Sequence, residues 1–213
     1  MSKWSMLYEK EILNSSSIED YIYEKLKTKK KIIKLINKYS FNNKVIELGS
    51  GTGILALKIS TLGNEVTALD KDIDMINLSK KYFANKFLNS NIKYVCCDIM
   101  DFKTRKKFDV CYSIGLLEHY NDEDIINLIN KQFEFSNYVI FGIPTKYFDE
   151  GKKMYGNERY LTIRQWRKLI KNSNCKVIEE SSYHYLGFFR RILNVKKIFK
   201  PNPVHIFVIS KDL

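Results

Sequence analysis

Val45-Ile46-Glu47-Leu48-Gly49-Ser50-Gly51-Thr52-Gly53 is the stretch from which the rest of the chain is read. A short apolar run ends in a carboxylate and then in three alternating glycines. Leu55, Ile59 and Leu62 follow at i, i+4 and i+7, an amphipathic spacing. The pattern predicts a strand over about 44–48, a tight turn, and a helix over about 53–62. Gly49 and Gly51 lack the Cβ atoms that would hold a ligand off the backbone, and they tolerate positive φ. Such a turn presents helix-start N–H groups to whatever binds there.

A dinucleotide turn requires the spacing G-x-G-x-x-G. Counted from Gly49, the third glycine position holds Ile54. Glu47, two residues before Gly49, would repel a diphosphate and attract a cation. The spacing E-x-G-x-G-x-G instead resembles motif I of the class I S-adenosylmethionine-dependent methyltransferases. The resemblance implies a three-layer, Rossmann-like α/β fold, with a mostly parallel seven-stranded sheet and one antiparallel strand. It also implies S-adenosyl-L-methionine as cofactor, a molecule with an ammonium, a sulfonium and one carboxylate but no phosphate.

Further strands extend the match. The second, about 65–69, ends at Asp70, where a carboxylate can accept hydrogen bonds from two vicinal ribose hydroxyls. Lys71 follows it. The third is about 92–96; the resemblance implies that Asp98 meets the adenine amino group and that Ile99 packs on the ring, with Asp101 a competitor for the first role. The fourth, 108–113, runs through Ser113 into Ile114-Gly115-Leu116-Leu117-Glu118-His119-Tyr120. That run resembles the family segment lying beside the methionine tail and the reacting methyl. Ligands of open α/β sheets bind outside the carboxyl ends of the strands. Glu47, Gly49, Ser50, Gly51, Gly53, Asp70, Lys71, Asp98, Ile99 and Ser113 all fall there, and are the expected cofactor-binding residues.

The remaining elements give a single domain over 1–213, with a helical cap at 1–40 and a core at 41–213. In the cap, Ser16 to Glu19 has the form of a capping box, with Ser16 as N-cap. Helical spacing from Ile18 runs to about 39, and the basic stretch 27–31 divides it into two helices. Trp4 and Tyr8 are candidate lid aromatics. Beyond strand 3, helices are expected from Asn121 to about 135 and over 162–171. Strands are expected over 138–143, 175–180 and 204–210. The resemblance places the last strand antiparallel between the fifth and sixth.

Segment 144–161 is long and rich in tyrosine, and is expected to cover an acceptor pocket. Tyr8, Tyr147, Tyr155 and Tyr160 would line it and could stabilise a cationic amine. His119 is the candidate general base, its unperturbed pKa of about 6.5 suiting proton transfer near neutrality. Glu118 is expected to bind or orient, and His184 and His205 to be structural.

Composition narrows the partners. The net charge is +12, yet only six of the 36 basic residues are arginine and the lysines are spread along the chain. Abundant Lys, Asn and Ile match an A/T-rich genome, so a generic basic surface is favoured over a nucleic-acid site. No Asn/Asp-Pro-Pro-Tyr motif follows strand 4; Ser113-Ile114-Gly115-Leu116 stands there, against nucleobase amine methylation. A small-molecule acceptor, methylated on O, N or C, is therefore favoured. An rRNA or protein methyltransferase and a non-catalytic cofactor-binding scaffold are the alternatives. No apolar run approaches the roughly 20 residues of a membrane span. Cys96, Cys97, Cys111 and Cys175 lack C-x-x-C spacing and read as reduced, at least partly buried thiols of a cytoplasmic protein with no metal site.

Overall fold

The computed structural model describes residues 1–87, 90–145, 157–183 and 203–211. Three helices come first: α1 (Lys3–Leu13), α2 (Ile18–Lys27) and α3 (Lys30–Tyr39). Then β1 (Lys44–Leu48), α4 (Ile54–Ser60), β2 (Glu65–Asp70), α5 (Ile73–Phe83) and β3 (Ile92–Cys96) alternate. The second half holds β4 (Phe108–Ile114), α6 (Asp122–Phe133), β5 (Ser136–Pro144), α7 (Ile163–Asn172), β6 (Cys175–Tyr183) and β7 (Val204–Lys211).

The strands form one seven-stranded sheet in the order β3-β2-β1-β4-β5-β7-β6. β7 runs antiparallel to both of its neighbours, as the resemblance implied. The sheet is apolar on both faces because both are covered. Ile46, Leu48, Cys111, Val139 and Phe141 point to one face, under α6 and α7, with Trp166 wholly buried there. Val45, Val110, Tyr112, Ile140 and Val208 point to the other, under α3 and α4. Alternation along each strand thus divides the core into two layers.

Local chemistry sets the helix starts. Asp72, Asn121 and Thr162 each accept a backbone N–H of the helix they precede, and Thr162 with Gln165 completes a capping box. The N-cap of α2 is Ser17, which accepts from Asp20, and not Ser16. Ser16 instead hydrogen-bonds the Asp20 side chain. The helical stretch divides at Thr28 and Lys29, inside the basic segment where a break was expected. All four cysteines are free; Cys96 is exposed rather than buried, because the side chains of edge strand β3 are only partly covered. Among the described residues no helix is long and apolar enough to cross a membrane.

Chain order reverses between β1 and β4, which lie side by side although two strands separate them in sequence. That is the switch point at which open α/β sheets leave a crevice.

Candidate active site

Two adjoining cavities, of about 340 and 330 Å³, open over this switch point. They share Gly49, Gly51, Gly115 and His119 as walls, and Trp4 and Tyr8 as a roof. The first extends over Asp70, Lys71, Asp98 and Ile99. The second extends past Glu47 and Ser50 to Glu118, Glu158 and Tyr160.

The turn between β1 and α4 is built as its glycines require. Gly49 has φ +61°, and a Cβ there would stand 3.0 Å from Leu116 Cδ1 and intrude on both cavities. Gly53 has φ +68°, and its Cβ would meet Ser79 Oγ at 2.5 Å. Gly53 lines neither cavity. Its part is to let α4 pack against α5, not to face a ligand as the motif suggested.

The turn amides are engaged within the protein. Ser50 N–H donates to Leu69 O at 3.0 Å, Gly51 N–H to Asp70 Oδ2 at 2.8 Å, and Gly53 N–H to Ser50 O at 2.8 Å. These three are therefore not free to cradle a phosphate, contrary to the expectation that the turn offers them. Asp70 also accepts Asp72 N–H through Oδ1 at 2.9 Å. With one backbone donor on each oxygen, the carboxylate is held facing the first cavity and each oxygen keeps a further lone pair. Burial raises its pKa while these two N–H groups oppose the rise.

Glu47 changes the electrostatic argument. It is buried at the end of β1, where it accepts the Tyr112 hydroxyl at 3.1 Å. Burial pushes it up to about 8, against the opposing pull of Tyr112 and the Ala56 backbone. Near neutral pH the free protein keeps this group protonated, so Glu47 does not by itself repel a diphosphate. What the turn withholds from a phosphate is the three amides of Ser50, Gly51 and Gly53, which are engaged within the protein. Ser50 Oγ, buried in the second cavity wall, has no hydrogen-bond partner and can serve a polar ligand.

The other expected residues divide. Asp98 and Ile99 line the first cavity, and Asp98 accepts Met100 N–H at 3.0 Å. Asp101 does not line it. Ser113 is 1% exposed and lines neither cavity, because β4 continues through Ile114 and keeps it inside the sheet. Ile114 and Gly115 take its place at the wall. His119 lies in the 3-10 turn Leu117–His119, at the junction of the cavities. Its Nδ1 is 2.8 Å from Asn157 Oδ1, and the Trp4 ring meets it edge-on at 5.8 Å. Tyr8 and Tyr160 line the second cavity. Tyr147, Tyr155, His184 and most of the expected cover at 144–161 lie outside the described residues. His205 is away from both cavities, hydrogen-bonded to Glu180 at 2.9 Å.

α1 reaches the site by docking on α5. Ser2 bonds Asp72, Glu9 accepts from Lys81 at 2.9 Å and from Tyr82 at 2.8 Å, and the terminal amine lies 3.4 Å from Asp74. This carries Trp4 and Tyr8, stacked at 6.4 Å, over the cleft. Sequence reasoning missed Asn157 and Glu158. Neither belongs to a motif, and only folding brings them to the turn after β4.

Comparison with known proteins agrees with this geometry. A family model described as a methyltransferase domain matches residues 45–135. The ribosomal RNA small subunit methyltransferase A of Wigglesworthia glossinidia brevipalpis is 34% identical over 85 residues, 39% of this chain and 31% of that protein. The ubiquinone biosynthesis O-methyltransferase of Pelagibacter ubique is 27% identical over 100 residues, 47% of this chain and 41% of that protein. These matches span less than half the length of either relative. The magnesium protoporphyrin IX methyltransferase of Synechocystis PCC 6803, solved with bound SAM, superposes with a TM-score of 0.65 at 13% identity, covering 100% of this chain and 99% of that one. The chain has the class I, Rossmann-like fold of the S-adenosylmethionine-dependent methyltransferases, and the matched segment includes the glycine turn, Asp70, Asp98 and the turn after β4.

Proposed function

We propose that this chain is a methyltransferase that binds S-adenosyl-L-methionine in the first cavity and a small-molecule acceptor in the second. One observation carries the reading: a glycine turn whose Ser50, Gly51 and Gly53 amides are engaged internally faces a carboxylate, Asp70, anchored so that it can accept two ribose hydroxyls. A diphosphate would find the Ser50, Gly51 and Gly53 amides already engaged and the Asp70 carboxylate beside them. A nucleoside finds a hydroxyl acceptor, with Asp98 and Ile99 further along for a base. When bound, the cofactor supplies an electrophilic methyl group on a sulfonium.

The chain's own residues then align and shelter. Gly49 and Gly115 leave room for close approach. Trp4 and Tyr8 roof the cleft against water. His119, oriented by Asn157, stands where the cavities meet and is placed to take a proton from an acceptor. Alignment and exclusion of water are the main requirements for displacement at an activated methyl. A second cavity of about 330 Å³, partly open to solvent, has the size for a small molecule. The +12 charge favours a nucleic-acid acceptor, but many described lysines pair with glutamates scattered over the surface, among them Lys25–Glu11, Lys81–Glu9, Lys86–Glu19 and Lys106–Glu65. Calorimetric titration tests the reading. S-adenosylmethionine and S-adenosylhomocysteine are expected to bind and NADH is not; the reverse result would reject it.

A further inference from the structure

Two lysines stand in the wall of the second cavity, and they differ. Lys25 is paired with Glu11 at 2.7 Å. Lys29, where α3 begins, has no carboxylate partner among the described residues. Its ammonium donates to the hydroxyl of Tyr183, at the end of β6, at 3.2 Å and lies 5.7 Å from the centre of that ring. Lys29 and Tyr183 both line the second cavity, and neither lines the first. The carboxyl groups of the same wall do not supply the missing charge. Burial pushes Glu47 and Glu118 up to about 8, so each is mainly uncharged near neutral pH. The positive charge of Lys29 is one of the smaller influences opposing that rise at both. One of these acids ends β1 and the other follows β4, so the ammonium is directed toward the cavity that both line. Glu158, also at this wall, has a partner of its own. Leu26, Leu55, Ile143 and Val204 add apolar surface.

We propose that the acceptor carries a carboxylate, anchored by the Lys29 ammonium and the Tyr183 hydroxyl, on an apolar body that extends to the junction of the two cavities. The proposal rests on the methyltransferase reading and specifies its acceptor. The ammonium donates to one carboxylate oxygen. The Tyr183 hydroxyl accepts from Lys29 and keeps its own proton to donate to the other oxygen. A cationic amine, which the density of tyrosines suggested, would meet the repulsion of this lysine. A phosphate dianion would bring two charges to one unpaired cation. His119 stands at the junction, whereas Lys29 and Tyr183 line the second cavity alone, so the anchored end lies apart from the reacting end. The carboxylate is a handle, and a different atom of the acceptor receives the methyl group.

The test is calorimetry at pH 7 on the full chain saturated with S-adenosylhomocysteine. The probes are hydrocinnamate, its neutral amide hydrocinnamide, phenethylammonium and phenethyl phosphate. Hydrocinnamate is expected to bind at least tenfold more tightly than the amide, and more tightly than the ammonium or the phosphate. Lys29→Met keeps the apolar stem and is expected to abolish the preference over the amide. Lys29→Arg is expected to retain most of it, and Tyr183→Phe to reduce it severalfold. The S-adenosylhomocysteine dissociation constant is expected to stay within threefold of wild type in all three, which reports that they fold. Equal binding of carboxylate and amide, no binding of any probe, tighter binding of the ammonium or the phosphate, or an unchanged preference in Lys29→Met overturns the proposal and leaves the cofactor reading standing. Failure of the wild type to bind S-adenosylhomocysteine overturns both.

Discussion

Replacing Glu47 by Gln removes a titrating group while keeping its size and an acceptor for Tyr112. Burial pushes Glu47 up to about 8 from an ordinary 4.5. The folded state thus holds this proton more tightly than the unfolded chain does. The resulting stabilisation is complete below about pH 4.5 and is lost as pH rises through 8. At 1.36 kcal/mol per pH unit, the whole gap between 4.5 and about 8 amounts to roughly 5 kcal/mol. The part lost between pH 6 and pH 8 is roughly 2–3 kcal/mol. Glu118 is also pushed up to about 8, but it is present in both proteins and cancels in their difference. Urea unfolding at pH 6, 7 and 8 is the assay. Wild type is expected to lose roughly 2–3 kcal/mol relative to Glu47→Gln over that range, or roughly 5–10 °C in melting temperature for a chain of this size. Parallel stability–pH curves would refute the reasoning. They would mean that Glu47 is ionised in the free protein and that its charge does act on an incoming ligand.

Three further substitutions separate the roles of the cleft residues. Asp70→Ala is expected to weaken S-adenosylmethionine binding by about 1.5–3 kcal/mol, through lost hydrogen bonds to a charged group; an unchanged dissociation constant in calorimetry would remove its ribose role. Gly53→Ala is expected to cost about 1–2 kcal/mol from left-handed backbone alone, with the Ser79 clash added. In urea unfolding, Ser79→Ala in the same background should recover the clash and not the backbone part; full recovery would contradict the strain argument. His119→Ala is expected to slow methyl transfer far more than it alters cofactor affinity, and an unchanged turnover number would exclude it as the base.

Much of the fold was legible because its signals are local. Three alternating glycines after an apolar run can do little but turn the chain, and Asp72, Asn121 and Thr162 announce helix starts by their side-chain chemistry. Where competing local donors stood side by side, as at Ser16 and Ser17, the sequence could not choose between them. Ser113 was misplaced because a strand's last residue depends on its neighbour: β5 runs to Pro144 and pairs β4 through Ile114. Charge was the least legible property. Glu47 reads as an anion on paper, and only its burial in the fold, against the opposing pull of Tyr112, raises its pKa toward the neutral range. Glu158 was invisible for a related reason, since it reaches the turn after β4 from a distant segment, held there by the hydrogen bond from Arg159 N–H to Glu118 O.

The position of β7 has a consequence during synthesis. It is the last of the described strands in sequence, yet it occupies an interior place between β5 and β6. A nascent chain halted before residue 204 would carry β5 with an open edge and β6 with nothing to join, two templates for pairing with another polypeptide. Emergence of β7 from the ribosome therefore decides when the sheet can close, and a chaperone that shields the β5 edge until then would raise the yield of native protein.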